Sequence, residues 1–201
     1  MIYFLTSNAK KAEDFRRFGF GVKEFEKEMP EIKSPNVEEV ALYKAKDTEL
    51  NKIVVEDTSL YVDGAHFWGT DIKHVYEEIQ GNDHYHEHDA TWRIALCLKL
   101  EENYYLSSGE LKGKIIFPYS EDGYHFEKMF AVEKNGEYIH FGAMNQEDRL
   151  ELSPRLQALR KLHDAMITDD YSNLVKIPAS MVKDWSGEYQ IEKPKSPKIK
   201  I

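Results

Sequence analysis

Residues 52–60 (Lys-Ile-Val-Val-Glu-Asp-Thr-Ser-Leu) set two acids directly behind a β-branched run. Such a run favours a buried strand, and the expectation is a strand that stops where Glu56 and Asp57 begin. Carboxylates at the end of a sheet strand can hold a hard cation such as Mg²⁺, or take a proton from water. The same residues also fit a plain strand-end turn with Asp57 capping the next segment. The neighbouring segments decide which reading has more to support it.

A strand is expected over residues 2–5, then the polar turn Thr6–Ser7–Asn8, then a helix over 9–18 with Ala12, Phe15 and Phe18 on one face and Gly19 as its stop. A strand, a short turn and a helix start together aim backbone N–H groups and the helix dipole at an anion. Lys10 and Lys11 stand in the first helical turn, where the dipole disfavours cations, and Asn8 as N-cap does not account for them. An acidic stretch, 24–31, is read as a weak strand entering a loop. Asn36 and Glu39 read as a capping box opening a helix whose buried face carries Val37, Val40, Ala41, Lys44 and Ala45. An inward lysine needs an acidic or phosphate partner, unless it snorkels at the rim.

Further on, a helix is expected over 71–79, closed by Gly81. The loop that follows carries His84, His86 and His88, a spacing that fits either a transition-metal site or an exposed polar loop. Alternation at Trp92, Ile94, Leu96, Leu98 and Leu100 marks a strand, and residues 104–116 continue the strand signal, interrupted by Gly109 and Gly113. Glycine inside a strand marks a bulge or a close approach by another group. Asn135–Gly136 centres a hairpin over 130–141. Ser153 and Pro154 open a helix lined by Leu156, Leu159, Leu162 and Met166. From Tyr171 the sequence reads as irregular, and residues 193–201 as a loose basic tail. Alternation of strands and helices in the first half, with hairpins in the second, predicts a mixed α/β fold: an elongated central sheet flanked by helices, two lobes and a cleft between them. Residues 1–185 are expected to form one catalytic domain and 186–201 a C-terminal tail.

A net charge of −9 argues against nucleic acid or an anionic membrane as the main partner. One cysteine, Cys97, allows no internal disulfide and fits a reducing cytoplasm. No apolar run reaches membrane-spanning length.

Taken in order, these segments resemble the inosine triphosphate pyrophosphatase family. Thr6 to Lys11 matches its T-x-N-x-x-K opening, Pro30–Glu31 its acidic loop, and Glu39 to Lys44 its E-x-x-x-x-K helix. Glu56–Asp57–Thr58–Ser59–Leu60 is similar to its E-D-S/T-x-L strand end, residues 69–79 to its G-P-Y-I-K-W-F helix, and residues 109–116 to its G-E-x-x-G-x-I hairpin. Ser153–Pro154–Arg155 stands where the family has S-H-R. The resemblance implies a Mg²⁺-dependent (or Mn²⁺-dependent) hydrolase that cuts a nucleoside triphosphate to its monophosphate and pyrophosphate, commonly as a homodimer. It assigns phosphate contacts to Thr6, Ser7, Asn8, Lys11, Lys44, Thr58 and Lys73. It assigns metal and water to Glu31 and Asp57 with Glu39 as a third acid, and catalysis to Asp57 and Lys11.

The departures gather at the segments that read the base. The family's F-G-W/Y-D-P-x-F stands here as Tyr124–His125–Phe126–Glu127–Lys128–Met129–Phe130, losing the glycine and the proline. The lysine four residues before S-H-R is Arg149, and its histidine is Pro154, while Arg155 is kept. Phe126, Glu127, Arg149 and Arg155 are therefore the expected base-side contacts, with a preference moved away from inosine and xanthosine nucleotides. The alternative function is a nucleotide-binding regulator that has lost turnover; the carboxylates at 31, 39 and 57 are more than a pure binder needs.

Overall fold

The computed structural model describes residues 1–6, 8–24, 29–80 and 83–191, and at residues 9, 10, 24 and 78 the backbone alone. Strand β1 (Tyr3–Thr6) leads into α1 (Ala9–Arg17), which packs Phe15 flat on Phe4 with ring centroids 3.4 Å apart. Then come β2 (Gly21–Glu24), the two-residue β3 (Glu31–Ile32), α2 (Val37–Lys46) and β4 (Ile53–Val62). A 3-10 turn over Gly69–Asp71 precedes α3 (Ile72–Gln80). The long strands β5 (Asp89–Leu100) and β6 (Asn103–Ile115) follow, then β7 (Phe130–Lys134) and β8 (Glu137–His140). Helices α4 (Gln146–Leu152) and α5 (Pro154–Thr168) precede β9 (Val175–Pro178) and β10 (Tyr189–Ile191).

The main sheet runs β2-β1-β4-β5-β6-β7-β8 and is mixed. Strand β1 lies parallel to β2 and β4; all other pairings are antiparallel. Strands β7 and β9 share one edge of β6, β7 at residues 114–115 and β9 at 103–106. Alternation along the strands divides the core between the two faces. Phe4, Val54, Leu96 and Leu98 join α1 and α5 on one face; Leu5, Val55, Ala95 and Cys97 join α2 on the other.

Local chemistry explains the element ends. The Asn36 side chain accepts from the backbone N–H of Glu38 and Glu39, and Ser153 accepts from Leu156 ahead of Pro154 at the first helical position. Asn135 and Gly136 both have positive φ, 55° and 85°, as a type I′ hairpin requires. The strand glycines mark close approaches: a Cβ on Gly109 would lie 1.9 Å from the Pro154 carbonyl oxygen, and one on Gly113 2.2 Å from that of Ala131.

Three expectations are corrected. Strand β4 does not stop at the acids but runs on to Val62, because Thr58 to Val62 keep the antiparallel ladder with β5. Glu39 does not complete a capping box: its carboxylate accepts from the Ser34 hydroxyl at 2.5 Å. The chain beyond Tyr171 is not irregular throughout, since β9 docks on β6 and β10 pairs with β3. Residues 189–191 of the expected tail are therefore part of the fold, and 193–201 lie outside the described residues.

Candidate active site

Because β4 continues past its acids, Glu56 and Asp57 sit mid-strand and point to opposite faces of the sheet edge, each into its own ion-pair cluster. Lys44, one face-turn along α2, reaches Asp57 at 2.7 Å and Glu31 at 3.0 Å. Lys73 from α3 reaches the same Glu31 oxygen at 2.6 Å. Strand β3, helix α2, strand β4 and helix α3 thus each contribute one charge to a group of two acids and two ammoniums, buried except for the partly exposed Lys73. The second cluster centres on Glu56, which takes Lys11 at 2.9 Å and a two-pronged Arg155 at 2.7 and 3.2 Å. Arg155 also reaches Asp14 at 3.4 Å.

Burial disfavours the charged form of Glu31, but Lys44 and Lys73 outweigh it and pull its pKa down to about 2. Burial pushes Asp57 the other way: Lys44 bonds it and Lys73 acts from further off, but the negative charge of Glu31 opposes its ionisation, and its pKa is raised. Two carboxylates pushed in opposite directions are the pattern of a charge holder beside a proton acceptor. Burial likewise works against Glu56, yet Arg155 and Lys11 hold it at about 2.

The two clusters open into one cleft of about 460 Å³, whose lining includes Thr6, Asn8, Lys11, Glu31, Lys44, Asp57, Thr58, Lys73, Phe126, Glu127 and Arg155. The Thr6 hydroxyl accepts from the Asn8 N–H at 2.9 Å, which fixes the turn before α1, and Lys11 follows one turn on. Trp92 stands across the cleft with its indole N–H donated to the Thr58 hydroxyl. A second cavity, about 430 Å³, shares Trp92, Glu127 and Arg155 with the first and adds Arg149, Phe141 and Ser153. Phe126 packs edge-on to Trp92, Arg149 donates to Glu127 at 3.0 Å, and the Arg149 guanidinium lies over the Phe141 ring. His125, where the resemblance expects glycine, keeps the positive φ (49°) that glycine takes without strain.

Of the site residues expected from sequence, the structure brings together every one that is described except Glu39, which lies on Ser34 and outside the cleft lining. Ser7 lies outside the described residues. Pro154 is buried at the start of α5 and does not line either cavity, although Ser153 and Arg155 on both sides of it do. The sequence reading took Glu56 with Asp57 as an acid for a cation or a proton, where the structure gives it to Lys11 and Arg155. It missed Asp14, Trp92 and Ile191, which nothing local marks. In the histidine loop, His88 bonds the Asp63 carbonyl and His86 accepts from the Phe117 N–H.

Glu31 and Asp57 suit a hard divalent cation. Such an ion is commonly held by one or two carboxylates while the substrate's phosphate oxygens complete its shell. Among the described residues no group of three His, Cys, Asp or Glu side chains would hold a metal unaided. The pair fits a cation whose remaining ligands come from phosphate oxygens.

Among proteins of known activity, the chain is 26% identical over 186 residues to the dITP/XTP pyrophosphatase of Methanopyrus kandleri, covering 80% of this chain and 93% of that one. It is 27% identical over 181 residues to the dITP/XTP pyrophosphatase of Ignicoccus hospitalis, covering 80% and 94%. Two solved structures share the fold, each with a TM-score of 0.60. The Ham1 protein of Staphylococcus aureus is 18% identical, covering 83% of this chain and 99% of its own. A HAM1 protein from Coxiella burnetii is 15% identical, covering 84% and 100%. The model of the Ham1 family matches residues 2–165, and the chain belongs to that family.

Proposed function

We propose that the protein is a nucleoside triphosphate pyrophosphohydrolase acting on a non-standard or modified NTP or dNTP. The observation that carries this reading is Asp57: a buried carboxylate of raised pKa, in one cleft with three lysines and the Thr6–Asn8 turn. Relatives named for dITP and XTP support the reaction class. In the reaction, water attacks the α-phosphorus, the bridging oxygen to the β-phosphorus leaves with pyrophosphate, and the water's proton passes to Asp57. Lys11, Lys44 and Lys73 meet the phosphate charge as it shifts towards the leaving group. Glu31 and Asp57 would hold Mg²⁺, which when bound neutralises phosphate charge and polarises the phosphoryl oxygen.

The second cavity takes the base. Its polar groups are the Glu127–Arg149 pair, with Ser153 beside them and Trp92 and Phe141 as apolar walls. A carboxylate and a guanidinium side by side read both a donor and an acceptor edge. A pocket built this way discriminates by leaving its polar groups unpaired when the wrong base enters. The base preference of this chain therefore departs from that of its dITP/XTP relatives.

Pyrophosphate release with Mg²⁺ across a panel of standard and modified triphosphates, dITP and XTP included, tests the proposal. Turnover of at least one triphosphate is expected, and its loss by more than about a hundredfold in Asp57→Asn, the scale of removing a general base. Full activity in a folded Asp57→Asn, or no turnover of any triphosphate by the native protein, overturns it.

A further inference from the structure

The family match ends at residue 165, yet the chain beyond it returns to the cleft. Strand β9 lies on β6, and the Ala179 N–H bonds the Glu102 carbonyl as the chain leaves the sheet. The chain then runs along α2: the Tyr43 hydroxyl donates to the Lys183 carbonyl at 3.0 Å, Trp185 sets its edge on the Tyr43 ring, and Lys46 pairs with Asp184. Tyr189 donates to Asp47 at 3.0 Å, at the C-terminal end of the same helix. Gln190 donates to Asp71, in the turn that opens α3. Finally β10 pairs with β3, Ile191 opposite Glu31, and the Lys33 N–H bonds the Glu188 carbonyl at 2.9 Å. Ile191 itself lines the cleft.

Two of the four elements that supply the Glu31–Lys44–Asp57–Lys73 group, β3 and α2, are touched by this one segment, as is the turn leading to a third, α3. Of these, β3 has the least to hold it. It is two residues long, and its strand partner is β10 rather than the main sheet. A two-residue strand makes too few ladder bonds to keep a register unaided. Its Glu31 carboxylate must nonetheless be held within hydrogen-bond reach of two ammoniums while almost fully buried.

We propose that residues 175–191 form a strap that positions Glu31, with Tyr189 and Gln190 as the positioning residues and Ile191 as a wall of the cleft. They act through β3 and touch none of the reacting atoms. The kinetic half of this inference rests on the hydrolase reading above; the structural half does not.

The test uses the full chain carrying Tyr189→Ser with Gln190→Pro. This removes both side-chain bonds and one backbone N–H of β10. Amide hydrogen exchange across residues 29–33 should quicken by at least tenfold, with exchange in β4, β5 and β6 unchanged. With the best triphosphate of the panel, the Mg²⁺ concentration for half-maximal rate should rise about fivefold or more and kcat should fall, while KM at saturating Mg²⁺ stays within about twofold. Partial unfolding alone would lower kcat and leave the Mg²⁺ midpoint in place. Tyr189→Phe alone, which loses the bond to Asp47 and keeps the β10 backbone, should quicken exchange in residues 29–33 by less than the double variant does. Unchanged exchange in residues 29–33 overturns the strap outright. Quickened exchange with an unmoved Mg²⁺ midpoint overturns its role at Glu31. A native protein that cleaves no triphosphate refutes the hydrolase reading, and the exchange result then decides the strap by itself.

Discussion

Lys44→Met is the perturbation that bears most directly on the buried charge group. The ammonium lies 2.7 Å from Asp57 and 3.0 Å from Glu31, with all three side chains under a tenth exposed. Removing it leaves two carboxylates facing each other with Lys73 alone to offset them. Breaking a buried pair from one side costs about 3–5 kcal/mol, since a charge is left without its counter-charge. For a chain of this size that lowers Tm by about 10 °C. The cost depends on pH, and its sign follows from the two acids. Asp57 has a raised pKa when folded, so its contribution is favourable below its unfolded value and lost as pH rises through the folded one. Without Lys44 that pKa climbs further, and the loss extends to higher pH at about 1.4 kcal/mol per unit. Glu31 is the opposite case: its stabilisation exists above the unfolded pKa and disappears as pH falls towards about 2. Part of that stabilisation goes with the lysine at every pH above 5. Urea unfolding followed by tryptophan fluorescence should therefore show a deficit of about 3–5 kcal/mol at pH 8 that shrinks as pH falls and Asp57 takes up a proton. The double variant Lys44→Met with Asp57→Asn should recover most of the deficit, because it no longer buries the second charge. A single variant as stable as the native protein at pH 8, or a deficit that does not vary with pH, refutes the reasoning.

In the pH profile, kcat/KM should climb with unit slope on the acid side as Asp57 loses its proton, at a midpoint above the ordinary aspartate value of 3.8. A rate that stays flat down to pH 4 would remove Asp57 as the proton acceptor. Lys11→Ala should lower kcat/KM about 10- to 100-fold, the worth of a hydrogen bond to a charged group; an unchanged value would count against a phosphate contact there. Gly109→Ala would drive a methyl into the Pro154 carbonyl and push the start of α5, with Arg155, off the sheet. It should cost about 1–3 kcal/mol by thermal unfolding, and a neutral result would mean the helix start yields freely. Arg149→Met should change the ratio of kcat/KM between dITP and other triphosphates by more than about tenfold; a uniform loss across the panel would show that Arg149 does not read the base.

Much of the architecture was written in local signals. Asn36, Ser153 with Pro154, and Asn135–Gly136 each act within three or four residues of themselves, so the helix starts and the hairpin could be read from the sequence. The alternation from Trp92 to Leu100 fixed which residues face which side of the sheet. What escaped reading depends on partners far along the chain. Strand β4 outlasts its β-branched run because β5 carries the ladder past Asp57, and no local propensity records that. Glu39 satisfies a capping pattern, yet Ser34, five residues before it, captured its carboxylate. Lys44 stood on a buried face with two explanations open, and the choice needed both Glu31 and Asp57 in place. The pairing of β10 with β3 joins segments about 160 residues apart, out of reach of any periodicity.

The cations of the cleft each arrive with a counter-ion from the same chain: Lys11 and Arg155 with Glu56, Lys44 with Asp57, Lys73 with Glu31. On the proposed reading, a polyphosphate therefore does not fall into an open positive well. It must trade places with carboxylates, and the trade is favourable only for a ligand with enough negative oxygens, or a divalent ion, to satisfy both sides at once. Single inorganic anions and loose polyanions gain little from such a swap. On that reading the cleft selects its ligands through charges it already keeps in balance.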